Sequence, residues 1–243
     1  MKNQHLFLVS LAVFLGAVGL EVVGSVAPPP SLIGSSINPA VQPVMAQDDP
    51  IIPSLNPSSD NLGLLRQEDV PAEFRLLPSP IARSISDRLR VITRFFGQEN
   101  FQLDRHSAFV NPADLQVILG FTGSLPNQSD QFNFDSKIQQ LQQPQFQQQL
   151  LGMLRRSSLE LSQVEFLDSQ PLGNISGVGN SAAGVRMTVQ FRNQVWRIDA
   201  VPFRRGGVGA LAAVVYPRNV ASPLAALEIA RRLDSRIVEN SLR

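Results

Sequence analysis

The sequence predicts an α+β domain: an antiparallel sheet of about five to six strands packed between helices, with a C-terminal helix closing the fold. Three observations predict it. Ala183, Val185, Met187, Val189 and Phe191 alternate with Gly184, Arg186, Thr188 and Gln190, the period-two pattern of a strand with one face buried. Two further apolar runs, Val195 to Phe203 and Val208 to Tyr216, follow after turn-forming residues, which makes an antiparallel meander. Two Ser-Pro pairs, Ser79-Pro80 and Ser222-Pro223, each place a hydroxyl cap before a proline suited to the first turn of a helix.

In chain order, Lys2 precedes a charge-free apolar run of fifteen residues from Leu6 to Leu20, and the small-residue site Val44-Met45-Ala46 precedes Gln47. Such a run matches the ~7–15-residue core of a secretory signal better than the ~20 residues of a membrane span. Residues 1–46 are therefore read as a cleaved export signal, with retention as an inner-membrane anchor over residues 6–26 the alternative. A nearer site, Ser25-Val26-Ala27, is disfavoured because Pro28 follows it. Residues 47–63, with Pro50, Pro53 and Pro57 among polar residues, read as a flexible linker. A single domain is expected over 64–240.

Within that domain the first helix runs from Pro80 to Gly97, because Ile81, Ile85, Leu89, Ile92 and Phe96 recur at three and four residues. A strand is predicted over Leu115–Thr122. Next comes a glutamine tract, with eight Gln in the eleven residues from Gln139 to Gln149. Ile138, Leu141, Phe146, Leu150, Leu151 and Leu154 recur through it at helical spacing, so the glutamines form the wet face of one or two helices over about 134–156, broken or restarted at Pro144. Leu159–Leu167 reads as another strand whose apolar phase slips between Leu161 and Val164, a bulge or an edge. The Gly173–Gly184 stretch reads as a long, mobile hairpin connection, and Pro202 is expected at an edge or bulge where its missing donor does no harm. The closing helix carries Leu224, Leu227, Ala230, Leu233 and Ile237 on one face and pairs Glu228 with Arg232 one turn later.

Composition narrows the chemistry. Beyond residue 46, one Lys and nineteen Arg stand against nineteen acids, so no basic excess points to nucleic acid. The chain has no cysteine, hence neither a disulfide framework nor a lipid attachment site of that kind, and His106 is the single histidine after residue 46. Zinc, copper and iron sites need more such ligands, and Asp130 and Asp135 lack calcium-loop spacing, reading instead as loop and cap residues. No metal and no cofactor is expected. His106 beside Ser107 sits in a polar corner before Asn111-Pro112, with no Gly-x-Ser-x-Gly elbow to present a nucleophile. Glu160 and Glu165 fall on opposite faces of their strand and carry no glycosidase signature. Gly177-Val178-Gly179-Asn180-Ser181-Ala182 superficially matches a dinucleotide loop, but a strand rather than a helix follows it. The best candidates for a partner-binding surface are Arg204 and Arg205 at a turn with Trp196 on the neighbouring strand, since Arg and Trp are enriched at interfaces.

The opening Asp69-Val70-Pro71-Ala72-Glu73-Phe74, followed by a helix, strands, a meander and a closing helix, resembles exported α+β domains of the PsbP-like superfamily. It is also similar to the Asp-Leu-Pro-x-Gly-Phe start of other exported domains, including extracellular sensor domains of mycobacterial kinases, with Glu73 in place of the glycine. The likeness spans about 64–240 and carries over no functional residue. It implies a central sheet between helical layers, used for binding or assembly in a periplasm or thylakoid lumen. The expected function is thus a non-enzymatic exported binding or assembly-factor domain with a protein partner, acting at or near a membrane complex. Its rivals are a carrier of a small apolar ligand and a hydrolase using His106.

Overall fold

The computed structural model describes residues 64–78, 105–157, 164–173, 175–191 and 193–241. The segment read as an export signal, the expected linker, the helix expected over 80–97 and the 159–163 part of the fourth strand run lie outside the described residues. The elements are a 3-10 turn at Gln67–Asp69, then β1 (Arg75–Leu76), β2 (Arg105–Asn111), β3 (Gln116–Ser124), α1 (Gln128–Gln140), α2 (Pro144–Ser157), β4 (Val164–Pro171), β5 (Ser181–Ala182), β6 (Val185–Phe191), β7 (Gln194–Arg205), β8 (Val208–Pro217) and α3 (Ala226–Ser241). Among the described residues no helix is long and apolar enough to cross a membrane.

All eight strands join one antiparallel sheet in the order β1-β2-β3-β8-β7-β6-β4, with β5 added beside β7. The meander β6-β7-β8 forms as its sequence requires, closed at Gly206-Gly207, where Gly206 takes φ 55°. The sheet is larger than the five to six strands expected. One addition is β2, which replaces the polar corner expected around His106 and Ser107 and pairs along its whole length with β3. Its Ala108, Phe109 and Val110 are all buried, because the sheet is covered on both sides there and no alternation is needed. The others, β1 and β5, are two-residue strands too short to leave a periodic signal.

Each face of the sheet has its own core. On one, Trp196, Val189, Met187, Phe121 and Leu119 pack with Phe134 and Ile138 of α1 and Leu150 and Leu151 of α2. On the other, Val201, Phe203, Val214 and Ile118 pack under Ile229, Ala230, Leu233 and Ile237 of α3, with Phe74 and Val178. Strand β8, buried along all ten residues, serves both cores at once.

The glutamine tract does form two helices parted before Pro144, but α1 starts earlier than 134, where Asn127 Oδ1 accepts from the Asp130 N–H at 2.8 Å. Gln147, buried in the middle of the tract, donates through Nε2 to the Leu141 carbonyl at 2.9 Å and so covers the end of α1. The closing helix starts later than Ser222-Pro223 suggests: α3 begins at Ala226, and the Ser222 hydroxyl donates instead to the Leu224 carbonyl at 2.8 Å. The Glu228–Arg232 pair forms. Strand β4 ends the strand order of the described residues as an edge, and its register shifts between Phe166 and Asp168; Leu161, where the apolar phase slips, lies outside the described residues. Pro202 lies inside the sheet, and its carbonyl accepts from the Ala183 N–H at 3.2 Å. Its nitrogen therefore faces the same side, the gap between the end of β5 and the start of β6, where no ladder donor is required.

The Gly173–Gly184 connection is tied down rather than free. Asn180 N–H donates to the Arg204 carbonyl at 2.6 Å, Asn180 Oδ1 accepts from Gly206 N–H at 2.7 Å, and Arg231 donates to the Ser176 carbonyl at 3.1 Å. Val178 inserts into the core under α3. Gly179, at φ 56°, lets the chain pass so close to β7 that an added Cβ would lie 2.3 Å from the Arg204 carbonyl oxygen.

Candidate functional site

Successive side chains of a strand point to opposite faces, so the three residues singled out at the sequence level separate in the structure. Trp196, at 5% exposure, belongs to the core beneath α1 and α2. Arg204 and Arg205 lie at the far end of β7, about 26 Å along the strand at ~3.3 Å per residue. Arg204 points to the α1 face and forks onto Asp135 at 2.8 and 2.7 Å. Arg205 points to the α3 face and forks onto Asp234, through Nε at 2.7 Å and through Nη2, while Asp234 also accepts from Gly179 N–H at 3.0 Å. The hydrogen bond to Asp234 holds the Arg205 guanidinium above its ordinary pKa. These two arginines tie α1, the 173–184 connection and α3 to the β7–β8 turn, and the structure does not bring Trp196 to them.

Asp69, from the Asp-Val-Pro opening, is likewise an anchor. Its carboxylate accepts a two-point contact from Arg236 of α3 at 2.9 and 2.9 Å and the Arg66 N–H at 2.8 Å, and its carbonyl accepts from Arg232 at 2.5 Å. His106 and Ser107 are neighbours on β2 and so face opposite sides of the sheet. The Ser107 hydroxyl points to the Gly120 carbonyl at 3.4 Å, and the adjacent pair does not form a relay. Among the described residues no group of three or more His, Asp or Glu is placed to hold a metal ion.

A different constellation lies on the α3 side of the sheet, where β6, β7 and β4 run beyond the helix. Every second residue of β6 there is half-buried: Arg186, Thr188 and Gln190. Cross-strand register sets Gln170 of β4, Arg186 and Asp199 of β7 in one row, and Asp168, Thr188, Arg197 and Tyr216 of β8 in the next. Arg186 forks onto Asp199 with both contacts at 2.6 Å, and the Tyr216 hydroxyl donates to Asp199 Oδ2 at 3.0 Å. Asp199 is 4% exposed, so its charge is held by these donors rather than by water.

The protonation of this group follows from its geometry. The hydrogen bond to Asp199 raises Arg186 above its ordinary value against the opposing effect of burial. Burial first, then the charge of Asp199, pushes the Tyr216 phenol above 10, while Arg186 and Arg197 pull it back. Neither Arg186 nor Tyr216 exchanges a proton near neutral pH, so the pair holds Asp199 with fixed donors. The sequence carried one signal for this surface: the strict alternation of β6, whose polar phase contains Arg186, Thr188 and Gln190. Asp199 and Arg197 share their face through β7, an assignment that needs the pairing register. Compared with protein-family models, curated proteins and solved structures, the chain gave no match.

Proposed function

We propose that this chain is a non-enzymatic, exported binding or assembly-factor domain that engages a protein partner at or near a membrane complex. The observation that carries the reading is the half-buried polar face of β4, β6 and β7. Its central group, Arg186–Asp199–Tyr216, is paired internally and keeps its protonation near neutrality, a fixed polar floor from which the half-buried Thr188, Gln190 and Arg197 are held toward a partner. Rigid, prepaired polar floors of this kind favour recognition because little ordering cost remains on binding. Export rests on Lys2, the Leu6–Leu20 run and the Val44-Met45-Ala46 site. The resemblance to PsbP-like domains points the same way, toward a periplasm or thylakoid lumen.

The test is a cross-linked affinity purification of the tagged full-length protein from the cells that produce it, with mass spectrometry of captured proteins and of the mature N-terminus. Repeated capture of one membrane complex, with the chain beginning at Gln47, is the expected result. Isolation of the chain without a partner overturns the binding reading, and retention of Met1 replaces the export signal with an anchor.

A further inference from the structure

Resting on that reading, we propose that Arg197 receives a carboxylate from an acidic side chain of the protein partner, laid across β7, β6 and β4. The charges on this face single it out. Arg186 is committed to Asp199 by two short hydrogen bonds, and Tyr216 is neutral, so the two guanidiniums and one carboxylate around the phenol leave one positive charge. That charge is on Arg197, which no ion pair among the described residues engages and which sits half-buried between Tyr216 and Thr188. A guanidinium partly removed from water gains most from a two-point contact with a carboxylate, and the neighbouring Thr188 hydroxyl can donate to the same group.

The edge of the face selects further. Asp168 lies one strand beyond Thr188, and Glu165 lies on the same edge strand; both are exposed. At ~4.8 Å between strands Asp168 stands about 10 Å from Arg197, and Glu165, set two residues further along the sheet, about 12 Å. An all-acidic segment would meet repulsion there, whereas a segment with an acidic residue over β7 and a basic residue over β4 meets complementary charge along its length.

The decisive experiment installs a photo-cross-linking amino acid at Thr188 in the full-length chain, within the producing cells, and maps the linked residues on the partner by mass spectrometry. The expected adduct is a partner peptide with Asp or Glu within a few residues of the link. Arg197→Glu should lower the yield roughly tenfold, Arg197→Lys should retain much of it, and reversing the partner's acid to Arg should rescue Arg197→Glu. Trp196 fluorescence and the urea midpoint of each variant show that it is folded. Undiminished yield in Arg197→Glu, or a linked peptide without an acid, overturns the inference. If the affinity purification still captures the complex while Thr188 gives no adduct, the binding function stands and this face is the wrong one; if neither gives a partner, both readings fail.

Discussion

Tyr216 is the only tyrosine in the chain, so the absorbance change on phenol ionisation reports it alone. Its folded pKa is raised, chiefly by burial. A raised folded value means that the contribution to stability is complete below pH 10 and is lost as pH rises through the folded pKa, because the unfolded chain then releases a proton that the folded chain keeps. The phenol should therefore ionise above pH 10 and together with unfolding; Tyr216→Phe should flatten this alkaline loss of stability. Ionisation near 10 in a chain that stays folded would contradict the buried contact with Asp199. At the other end of that contact, Asp199→Ala strands the Tyr216 hydroxyl and the Arg186 guanidinium. Since the Arg186 side chain is 31% exposed, water compensates part of the loss, and we expect about 2–3 kcal/mol from the shift in urea midpoint. Gly179→Ala should cost more than the ~1–2 kcal/mol of a left-handed alanine, because the new Cβ also meets the Arg204 carbonyl oxygen. An unchanged midpoint would mean that the 173–184 connection is not held against β7 as described.

At the scale of elements, legibility in the sequence depended on what each element touches. Strand β6 was readable because one phase is core and the other half-exposed, whereas β2 was not, because both its phases are covered and Ala108-Phe109-Val110 reads as a short apolar patch. The two glutamine-rich helices were legible from apolar spacing, but the α1 start was missed: Asn127 lies outside the apolar period, and a single cap carries little weight against it. Asn127→Ala should cost about 1 kcal/mol in urea unfolding, and an effect near zero would assign the α1 start to the Leu125–Gly207 backbone contact instead. Ser222-Pro223 misled in the opposite direction, since the hydroxyl can bond locally two residues on and did so before the helix began. The candidate site failed at the same level of information. Arg204, Arg205 and Trp196 are close in sequence, yet a strand spreads them along its length and across both faces, while Arg186, Asp199 and Tyr216, distant in sequence, meet through register.

For the molecule as a whole, the sheet is one wall shared by two cores, and the chain carries one intrinsic reporter for each. Trp196, the only tryptophan, belongs to the core under α1 and α2, and Tyr216 belongs to the core under α3. The residues that follow each on β8 and β7 are paired across the same ladder, Trp196 with Pro217 and Arg197 with Tyr216. Neither core can open without disturbing strands that support the other, because each backbone bond in β7 and β8 holds side chains on both faces. The Arg236–Asp69 and Arg205–Asp234 contacts add ties from α3 to the 3-10 turn at Gln67–Asp69 and to the β7–β8 turn. Urea unfolding followed by Trp196 fluorescence and by Tyr216 absorbance should therefore give one midpoint and one slope, the behaviour of a cooperative unit. Distinct midpoints, with Tyr216 released first, would mean that α3 and its core form a separately melting layer. The polar face beside Arg197 would then be a surface that a partner stabilises on binding, and the Tyr216 transition would move to higher urea when the partner is present.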